Sequence, residues 1–360
     1  MNRDEHVSLN TADTGAVGIG RTPLVPIIVP LQGRRCRLWL KLEGLNVFGS
    51  LKARTAHALL QAAERSRQLE QGGAVVESTS GNLGIALAGI CRARGYSCTL
   101  VVDENTPQTS RLLMRAAGAA LVTASARDGG NPVEARLNLV RRFLAEHPDA
   151  VWTNQYGSGA NPRVHREWTG PELADDFDGV PPDAVAVPVS TGGTFAGLSA
   201  FFREWSPSTT MIAVDAVGSA ATGGRAAPRS AKIPGFGSGR ESDFLSSADW
   251  GRRVVLHDLE VAEACRVLAA SVGLTLGGSA AAAVLGAIAV AIEDPGLSEI
   301  AVICPDMGEK YLDLIWSRSS EPTAIRSSMT EALACLRLAR SASCRDAEFM
   351  PGARSCGIPY

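Results

Sequence analysis

Short apolar runs alternate with amphipathic segments along most of the chain, and this alternation restricts the possible fold more than any other feature. The first series predicts strands at 74–77, 98–102 and 120–123, and helices at 82–93, 109–116 and 133–146. A parallel pair of strands needs a crossover connection, which is usually a helix. Short strands that alternate with helices therefore predict parallel βαβ units.

A second series of the same kind begins at residue 151. It predicts strands at 151–155, 184–189, 211–215, 253–257 and 300–304, with helices at 164–176 and 194–205. Ahead of the first series we expect a turn at 19–26, a strand at 36–42 and a helix at 51–69. The sequence therefore predicts an α/β protein with two lobes that meet near residues 41–50 and 150.

One stretch favours a different class of protein. No charged residue occurs between Val267 and Ile292, and a stretch of this length would cross a bilayer. Gly273 and the sequence LGGS at 276–279 interrupt it, and much of the rest is alanine, which transfers poorly into lipid. We expect the end of one buried helix, a glycine turn and the start of another, with a membrane helix as the alternative.

The composition is that of an ordinary soluble globular protein, with 45% hydrophobic and 20% charged residues. The formal net charge of −2 gives no excess that would attract nucleic acid or an acidic membrane surface, so small molecules are the expected partners. Eight cysteines occur singly, which is typical of reduced thiols, and the histidines form no metal-ligand spacing with them. The first ten residues lack a secretory apolar run, so we expect a cytoplasmic protein without a metal.

A lysine at a glycine-led turn is the first candidate for a catalytic residue. In GSLKART, residues 49–55, Lys52 opens an apolar segment with helical spacing. A primary amine that forms a Schiff base with an aldehyde must be partly deprotonated and must then carry protons, and lysine fits both tasks. The alternative is a solvated lysine at a helix start, which is the commoner situation for this residue.

Three further motifs place small and hydroxyl-bearing residues where helices begin. STGGT at 190–194 combines backbone N–H groups with hydroxyls, and such a loop forms an anion cradle. STSGN at 78–82 is a loop of the same kind, and LGGSA at 276–280 places Ser279 at a helix start. The alternative for each motif is an ordinary glycine turn or helix N-cap.

These four motifs occur in the order and approximate spacing of one family. Over roughly residues 19–314, the chain resembles the fold type II pyridoxal-phosphate enzymes of the cysteine synthase and cystathionine β-synthase group. The resemblance implies a two-lobed architecture like that of tryptophan synthase β, with parallel-rich sheets flanked by helices. It implies a smaller lobe at 41–150, a larger cofactor-binding lobe made of 1–40 and 151–317, and a tail at 318–360 without an assigned function. Within that tail, the sequence predicts a short helix at 330–342.

The resemblance also implies the cofactor and its contacts. Pyridoxal 5′-phosphate would be bound covalently by Lys52, with Asn82 hydrogen-bonded to its 3′-oxygen and Ser279 facing its pyridine nitrogen. Its phosphate would be held by the residues of the STGGT loop, which are Ser190, Thr191, Gly192, Gly193 and Thr194. A hydroxyl beside the pyridine nitrogen leaves it largely unprotonated, which favours β-elimination over transamination.

By the same resemblance, the second loop receives the α-carboxylate of the substrate. The residues of this loop are Ser78, Thr79, Ser80 and Gly81. Gln155, in the sequence QYGSGANP, would help to hold the same carboxylate. The chain departs from the family pattern NPxGSxKDR because Val47 replaces proline and Ala53 replaces aspartate, which puts local packing in doubt more than the chemistry.

Three residues differ from those expected in a plain cysteine synthase. Arg136 lies on a helix that should lean over the cleft, Tyr156 follows Gln155, and Arg240 follows a glycine-rich loop. Together they resemble the synthases of 2,3-diaminopropionate pathways in siderophore and peptide-antibiotic biosynthesis, which join O-phosphoserine to the amino group of glutamate. For each arginine, a solvated surface position is the alternative.

Three functions remain open on the sequence. The first is the O-phosphoserine and glutamate synthase, and the second is an O-acetylserine or O-phosphoserine sulfhydrylase. The third is a non-catalytic binding subunit that retains the fold, against which the intact Lys52, Asn82 and Ser279 argue. The family is usually homodimeric, so the resemblance implies a homodimer that acts on small amino-acid substrates.

Overall fold

The computed structural model describes residues 18–229, 233–246, 250–316 and 326–341. Its strands are β1 (Leu24–Leu31), β2 (Arg34–Leu42), β3 (Ala74–Ser78), β4 (Ser97–Asp103), β5 (Ala120–Ala124), β6 (Ala150–Trp152), β7 (Ala184–Pro188), β8 (Thr210–Ala216), β9 (Arg252–Leu256), β10 (Glu299–Cys304) and β11 (Arg340–Ser341). Its α-helices are α1 (Lys52–Arg65), α2 (Asn82–Arg94), α3 (Gln108–Ala116), α4 (Pro132–Glu146), α5 (Ala160–Val164), α6 (Gly170–Asp176), α7 (Gly193–Trp205), α8 (Asp258–Val272), α9 (Gly278–Glu293), α10 (Leu312–Ile315) and α11 (Ser327–Arg337). Strands and helices alternate from β2 to β8, so the predicted α/β class is confirmed.

The chain divides into two compact units. The first unit contains residues 46–155, together with residues 18–20. The second unit contains residues 21–45 and the described residues from 156 onward. The sequence analysis places the corresponding boundaries a few residues earlier, at 41 and 150. Each unit has its own sheet and its own apolar core.

The first unit is built on a parallel sheet with the strand order β5-β4-β3-β6. Helices cover such sheets on both faces, so their strands are apolar throughout. Val76 and Val101 are accordingly fully buried and pack in one core with Val140 of α4. The carboxyl ends of β3 and β4 reach the same edge of the sheet, where Ser78 ends β3 and Asp103 ends β4.

The second unit is built on a larger sheet with the order β11-β1-β2-β10-β7-β8-β9. Pairing is parallel from β2 through β9, whereas β1 and β11 pair antiparallel at one edge. Helix α9 packs against this sheet so closely that a Cβ added to Gly286 would lie 2.7 Å from the side chain of Val214 in β8. Its small residues permit this approach.

The uncharged stretch from Val267 to Ile292 forms two helices, as the sequence predicts. Helix α8 ends at Val272, and Gly273 follows in the left-handed conformation with φ of 73°, which commonly terminates a helix. Helix α9 begins at Gly278. Within the described part of the chain, no helix is both long enough and apolar enough to cross a membrane.

Strand β1 is the main element that the sequence analysis misses, because it predicts a turn there. Pro26 and Pro30 lie within β1, and proline cannot donate to a strand ladder. The strand tolerates them near the sheet edge, where the two-residue β11 is the one strand of the described residues that pairs with its outer side. Gln32 and Gly33, with φ of 46° and 84°, form a two-residue turn of the kind that matches strand twist.

The C-terminal tail is described only in part. The sequence analysis predicts a helix at 330–342, and α11 spans Ser327–Arg337. Residue 342 and most of the predicted tail at 318–360 lie outside the described residues.

Candidate active site

The turn before Lys52 is held by contacts within the first unit. Gly49 has a φ of 69°, a conformation that glycine adopts without strain, and its N–H donates to the Asn46 carbonyl at 2.7 Å. Phe48 packs against α2 so closely that a Cβ on Gly89 would lie 2.3 Å from its ring. Lys52 is the first residue of α1 and follows directly from this turn. The position of its side chain is therefore set by a fixed backbone.

Burial lowers the pKa of Lys52 to about 8, from an ordinary value of 10.5. A desolvated ammonium group loses hydration, so the neutral amine becomes more favourable than it is in water. Desolvation alone causes the change, and no neighbouring charge contributes to it. Near pH 7, roughly one amine in ten is then neutral, against fewer than about one in a thousand for an ordinary lysine.

The chain has only three other lysines. Lys41 is fully buried between two carboxylates of α6, at 2.5 and 2.7 Å. Lys310 lies 3.9 Å from the carboxylate of Asp306, which partly offsets the effect of burial on its pKa. Lys232 lies outside the described residues. Of the lysines that the structure describes, Lys52 best combines desolvation with the absence of a charged neighbour that would hold its proton.

The STGGT loop leads from β7 into α7 and presents backbone donors. Gly192 has a φ of 90°, and a Cβ there would lie 2.1 Å from Oγ of Ser242. A Cβ on Gly193 would lie 2.3 Å from Oδ1 of Asn161. The N-cap residue of α7 is Gly192, which has no side chain, and the side-chain bond to the first N–H groups is a long one, from the Gly193 N–H to Oγ1 of Thr191 at 3.5 Å. The first N–H groups of a helix carry partial positive charge. The loop therefore suits a phosphate group.

Hydrogen bonds hold the side chains of this loop in place. The hydroxyl of Ser190 donates to the carbonyl of Gly237 at 3.2 Å. Nδ2 of Asn161 donates to Oγ1 of Thr191 at 3.3 Å. The loop is therefore connected both to the helix region after residue 160 and to the glycine-rich segment that precedes Arg240.

A π-helical turn at His165–Thr169 separates α5 from α6 and reaches the same loop. Nε2 of His165 lies 3.3 Å from the hydroxyl of Thr194, and its Nδ1 lies 3.0 Å from the hydroxyl of Thr169. Single π-turns within helices are frequent at functional sites. The sequence analysis predicts one continuous helix over 164–176 and so misses this turn.

The STSGN loop leads from β3 into α2 and is partly bonded to itself. The hydroxyl of Thr79 accepts hydrogen bonds from the N–H groups of Gly81 and Gly84, both at 3.1 Å. Thr79 therefore stabilises the start of α2 in the manner of a capping residue. Ser80 is the exposed hydroxyl of the loop, and Asn82 is half-buried as the first residue of α2.

Gln155 and Arg136 both contact Ser78, the first residue of this loop. Nε2 of Gln155 donates to the Ser78 carbonyl at 2.7 Å, and Nε of Arg136 donates to the Ser78 hydroxyl at 3.2 Å. Arg136 is buried and forms an ion pair with Asp103. The structure thus brings both predicted substrate ligands to the loop that the sequence predicts to hold the substrate carboxylate.

Glu77 is a buried carboxylate beside this loop that the sequence analysis does not identify. It accepts hydrogen bonds from the Thr153 hydroxyl at 2.6 Å, the Gln155 N–H at 3.0 Å and the Trp152 indole at 3.3 Å. Burial raises the pKa of Glu77, and these donors oppose the change. The signal for Glu77 in the sequence is a charged residue that directly follows the apolar residues AVV of β3.

Ser279 is buried in the first turn of α9. The two glycines before it lie in close contacts, because a Cβ on Gly277 would be 1.9 Å from Oδ1 of Asp306 and one on Gly278 would be 2.3 Å from Ile233. The turn that presents Ser279 is therefore fixed by packing and could not shift to accept a larger neighbour.

Arg240 lies over the ring of Tyr156, with 5.4 Å between the guanidinium carbon and the ring centroid. This is a cation–π distance. The guanidinium also pairs with Asp243 at 2.6 Å, a residue that the sequence analysis does not name. The Arg240 side chain is 27% exposed, against 2% for Arg136, so only Arg240 is accessible to a solute in this conformation.

The first unit contains Lys52, and the second unit contains the STGGT loop and Ser279. A deprotonatable amine suits an aldehyde, a helix N-terminus suits a phosphate, and a buried hydroxyl suits an unprotonated ring nitrogen. The family model of pyridoxal-phosphate dependent enzymes matches residues 16–306. The chain belongs to this family. Its cofactor is pyridoxal 5′-phosphate, and the predicted resemblance is confirmed.

Two relatives of this enzyme are named N-(2-amino-2-carboxyethyl)-L-glutamate synthase. The one from Ralstonia nicotianae is 36% identical over 299 residues, covering 83% of this chain and 88% of its own. The one from Cupriavidus metallidurans is 34% identical over 303 residues, with the same coverage of 83% and 88%. An O-acetylserine dependent cystathionine β-synthase from Helicobacter pylori is similar in structure, with a TM-score of 0.77, 27% identity, and coverage of 86% of this chain and 98% of that one.

These similarities decide one of the alternatives that the sequence leaves open. The relatives are synthases, and the chain is a pyridoxal-phosphate-dependent transferase of the β-replacement type. The alternative of a non-catalytic subunit is therefore not retained.

Proposed function

We propose that the enzyme joins O-phospho-L-serine to the amino group of L-glutamate, giving N-(2-amino-2-carboxyethyl)-L-glutamate and phosphate. The names of the relatives that are 34–36% identical support this reaction. The structural observation that carries it is Arg240, a half-exposed guanidinium held over Tyr156. The product is an intermediate suited to 2,3-diaminopropionate biosynthesis for a siderophore or a peptide antibiotic.

The roles proposed for the cofactor-binding residues are those that the family resemblance implies. Lys52 holds the aldehyde of the cofactor, the STGGT loop holds its phosphate, Asn82 bonds its 3′-oxygen and Ser279 faces its ring nitrogen. When bound, the cofactor withdraws electrons from Cα of the amino acid and so acidifies the α-proton. The Lys52 amine, whose pKa is about 8, is then suited to accept that proton at Nζ.

The proposed donor and acceptor both bring negative charge. O-Phosphoserine carries a phosphate dianion, and glutamate carries two carboxylates, whereas O-acetylserine and sulfide bring less charge. Guanidinium groups bind phosphate and carboxylate through forked, charge-assisted hydrogen bonds. Arg240 can offer this interaction because its present partner, Asp243, is half-exposed and the pair is screened by solvent. We propose that Arg240 binds the charged leaving group or the acceptor, with the Tyr156 hydroxyl as a neutral donor.

A sulfhydrylase is the second candidate function. The structural similarity to a cysteine synthase from Entamoeba histolytica favours it, with a TM-score of 0.78, 25% identity, and coverage of 93% of this chain and 97% of that one. In that case O-acetylserine or O-phosphoserine would supply the 2-amino-2-carboxyethyl group, and sulfide would be the nucleophile. The two candidates therefore differ in the charge that the enzyme must accommodate.

The decisive experiment compares the parent enzyme and Arg240→Ala with each donor and each nucleophile. We expect the parent to convert O-phosphoserine and glutamate to the proposed product, identified by mass spectrometry. Arg240→Ala should lose about 10- to 100-fold of this activity, because one charge-assisted interaction is removed. Its activity with O-acetylserine and sulfide should change by less than about threefold.

The matched control is Arg252→Ala, which removes an exposed arginine whose ion pair with Glu293 is 3.4 Å long. This variant should behave as the parent in all four assays. Equal losses for Arg240→Ala with both donors, or product from sulfide but none from glutamate, would favour the sulfhydrylase instead.

Capture of the cofactor by the apo-protein is expected to accelerate with pH as Lys52 loses its proton. With a pKa of about 8, the rate should rise nearly tenfold between pH 6 and 7 and level off above about pH 9. Stopped-flow absorbance of the growing visible band measures the rate, and Nα-acetyl-lysine with free cofactor is the reference for titration of the cofactor itself. A profile that continues to rise to pH 10, as for Nα-acetyl-lysine, would contradict the lowered pKa.

A further inference from the structure

Ser78 ends β3 and opens the STSGN loop. Its N–H, its carbonyl and its hydroxyl each form a hydrogen bond with a side chain. Its N–H donates to Oε1 of Glu77 at 2.7 Å, and its carbonyl accepts from Nε2 of Gln155 at 2.7 Å. Its hydroxyl accepts from Nε of Arg136 at 3.2 Å. The residue is fully buried. The direction in which the chain leaves the strand is therefore fixed by three different side chains.

Arg136 is itself held in place, by Asp103 at the end of the neighbouring strand β4. The guanidinium Nη1 and the carboxylate Oδ2 form an ion pair in which both side chains are almost completely buried. The other carboxylate oxygen of Asp103 accepts the N–H of Asn105 at 2.9 Å, and the N–H of Asp103 donates to the Thr106 hydroxyl at 3.2 Å. A carboxylate fixed in this way leaves the guanidinium little freedom to swing toward a solute.

The position of this cluster in the sheet connects it with ligand binding. β3 and β4 are adjacent parallel strands, and α4 supplies Arg136 above their carboxyl ends. Ligands of open parallel sheets bind outside the carboxyl ends of the strands. Arg136 therefore bonds to Ser78, the residue at which β3 passes into the STSGN loop. The Arg136 side chain is buried, so a substrate anion does not reach it in this conformation.

We propose that Asp103, Arg136 and Ser78 form a buried relay that positions the STSGN loop for the α-carboxylate of the substrate. In this relay Arg136 is a positioning residue that acts through Ser78, and the charged leaving group or acceptor is bound elsewhere, at Arg240. The proposal rests on the proposed assignment of the α-carboxylate to the STSGN loop. It does not depend on which leaving group or nucleophile the enzyme uses.

The experiment measures how well the holoenzyme distinguishes an amino acid from its amide. L-Serine and L-serinamide are titrated separately, and binding is followed by the visible absorbance of the cofactor and by calorimetry. The variants are Ser78→Ala, Arg136→Lys and the double variant. Arg142→Lys is the matched control, because Arg142 lies on the same helix and its own side chain is largely exposed while it pairs with Asp128.

We expect Ser78→Ala and Arg136→Lys each to weaken L-serine binding by about tenfold, the effect of one lost buried hydrogen bond. L-Serinamide lacks the carboxylate, so its binding should change by less than about twofold. The double variant should bind L-serine no more weakly than the worse single variant, because both substitutions break the same contact. Arg142→Lys should bind both ligands as the parent does.

Three results would overturn the relay. Equal weakening of L-serine and L-serinamide would show that the cluster only supports the fold, and unchanged L-serine binding in both single variants would show that it does not act on the loop. Additive losses of L-serine affinity in the double variant would likewise show that Arg136 does not act through Ser78. Failure of the proposed O-phosphoserine and glutamate reaction is a distinct outcome, since neither ligand in this titration carries the phosphate leaving group or acts as the acceptor.

Discussion

Lys52→Ala is expected to abolish turnover while leaving the protein folded. The methyl group of alanine can neither bond to the cofactor aldehyde nor move the α-proton, so we expect a loss of at least about a thousandfold. The fold should persist because the alanine retains the helical start of α1, and alanine favours helices. Steady-state assays give the turnover, and circular dichroism with thermal unfolding tests the fold.

Borohydride reduction gives an independent measurement of the same assignment. Reduction should attach the cofactor permanently to the peptide that contains Lys52 in the parent, and to no peptide in Lys52→Ala. Lys310→Arg is the matched control, because it removes another partly buried amine while keeping a positive charge near Asp306. Retained steady-state turnover in Lys52→Ala, or labelling at Lys232 in the parent, would refute the assignment of Lys52.

Ser279→Asp is expected to slow release of the β-leaving group by about a hundredfold. A carboxylate beside the pyridine nitrogen would keep that nitrogen protonated, and one unit of pKa corresponds to about 1.4 kcal/mol of interaction. Electrons that leave Cα would then remain on the ring instead of expelling the β-substituent. Rapid-mixing kinetics of phosphate release, together with the absorbance of the bound cofactor, measure both effects.

Ser279→Asn is the matched control for this prediction. It has nearly the size of aspartate without the charge, so it isolates the electrostatic effect from crowding in the tightly packed turn at Gly277 and Gly278. We expect Ser279→Asn to eliminate much faster than Ser279→Asp. If both variants are slowed equally, or if Ser279→Asp eliminates as fast as the parent, Ser279 does not face the pyridine nitrogen.

The alternating pattern of the chain is sufficient to predict most of the fold, because parallel βαβ units leave a strong local signal. The two helices on either side of Gly273 are also predicted, because a glycine that follows a helical segment commonly adopts the left-handed conformation that ends a helix. Strand β1 is missed because Pro26 and Pro30 disfavour a central strand, and only the sheet topology shows that β1 lies near an edge.

Contacts between distant segments could not be predicted from the sequence. Arg136 is predicted to lean over the cleft, whereas the structure buries it against Asp103 and Ser78, which are 33 and 58 residues away in the sequence. Their meeting depends on the parallel order of β3 and β4, which no local pattern specifies. The stacking of Arg240 over Tyr156 is likewise a property of the folded second unit, since 84 residues separate them in the sequence.

The alanine-rich helix α9 affects how this enzyme can diversify. Ala280 to Ala283 are fully buried directly after Ser279, and Gly286 touches β8, so larger residues there would cost about 1–3 kcal/mol each through overpacking. Mutational drift at this helix is consequently restricted, so the role that we propose for Ser279 is inherited together with the packing. New donor or acceptor preferences can arise far more readily at the half-exposed pair Arg240 and Asp243, where laboratory evolution should direct its libraries.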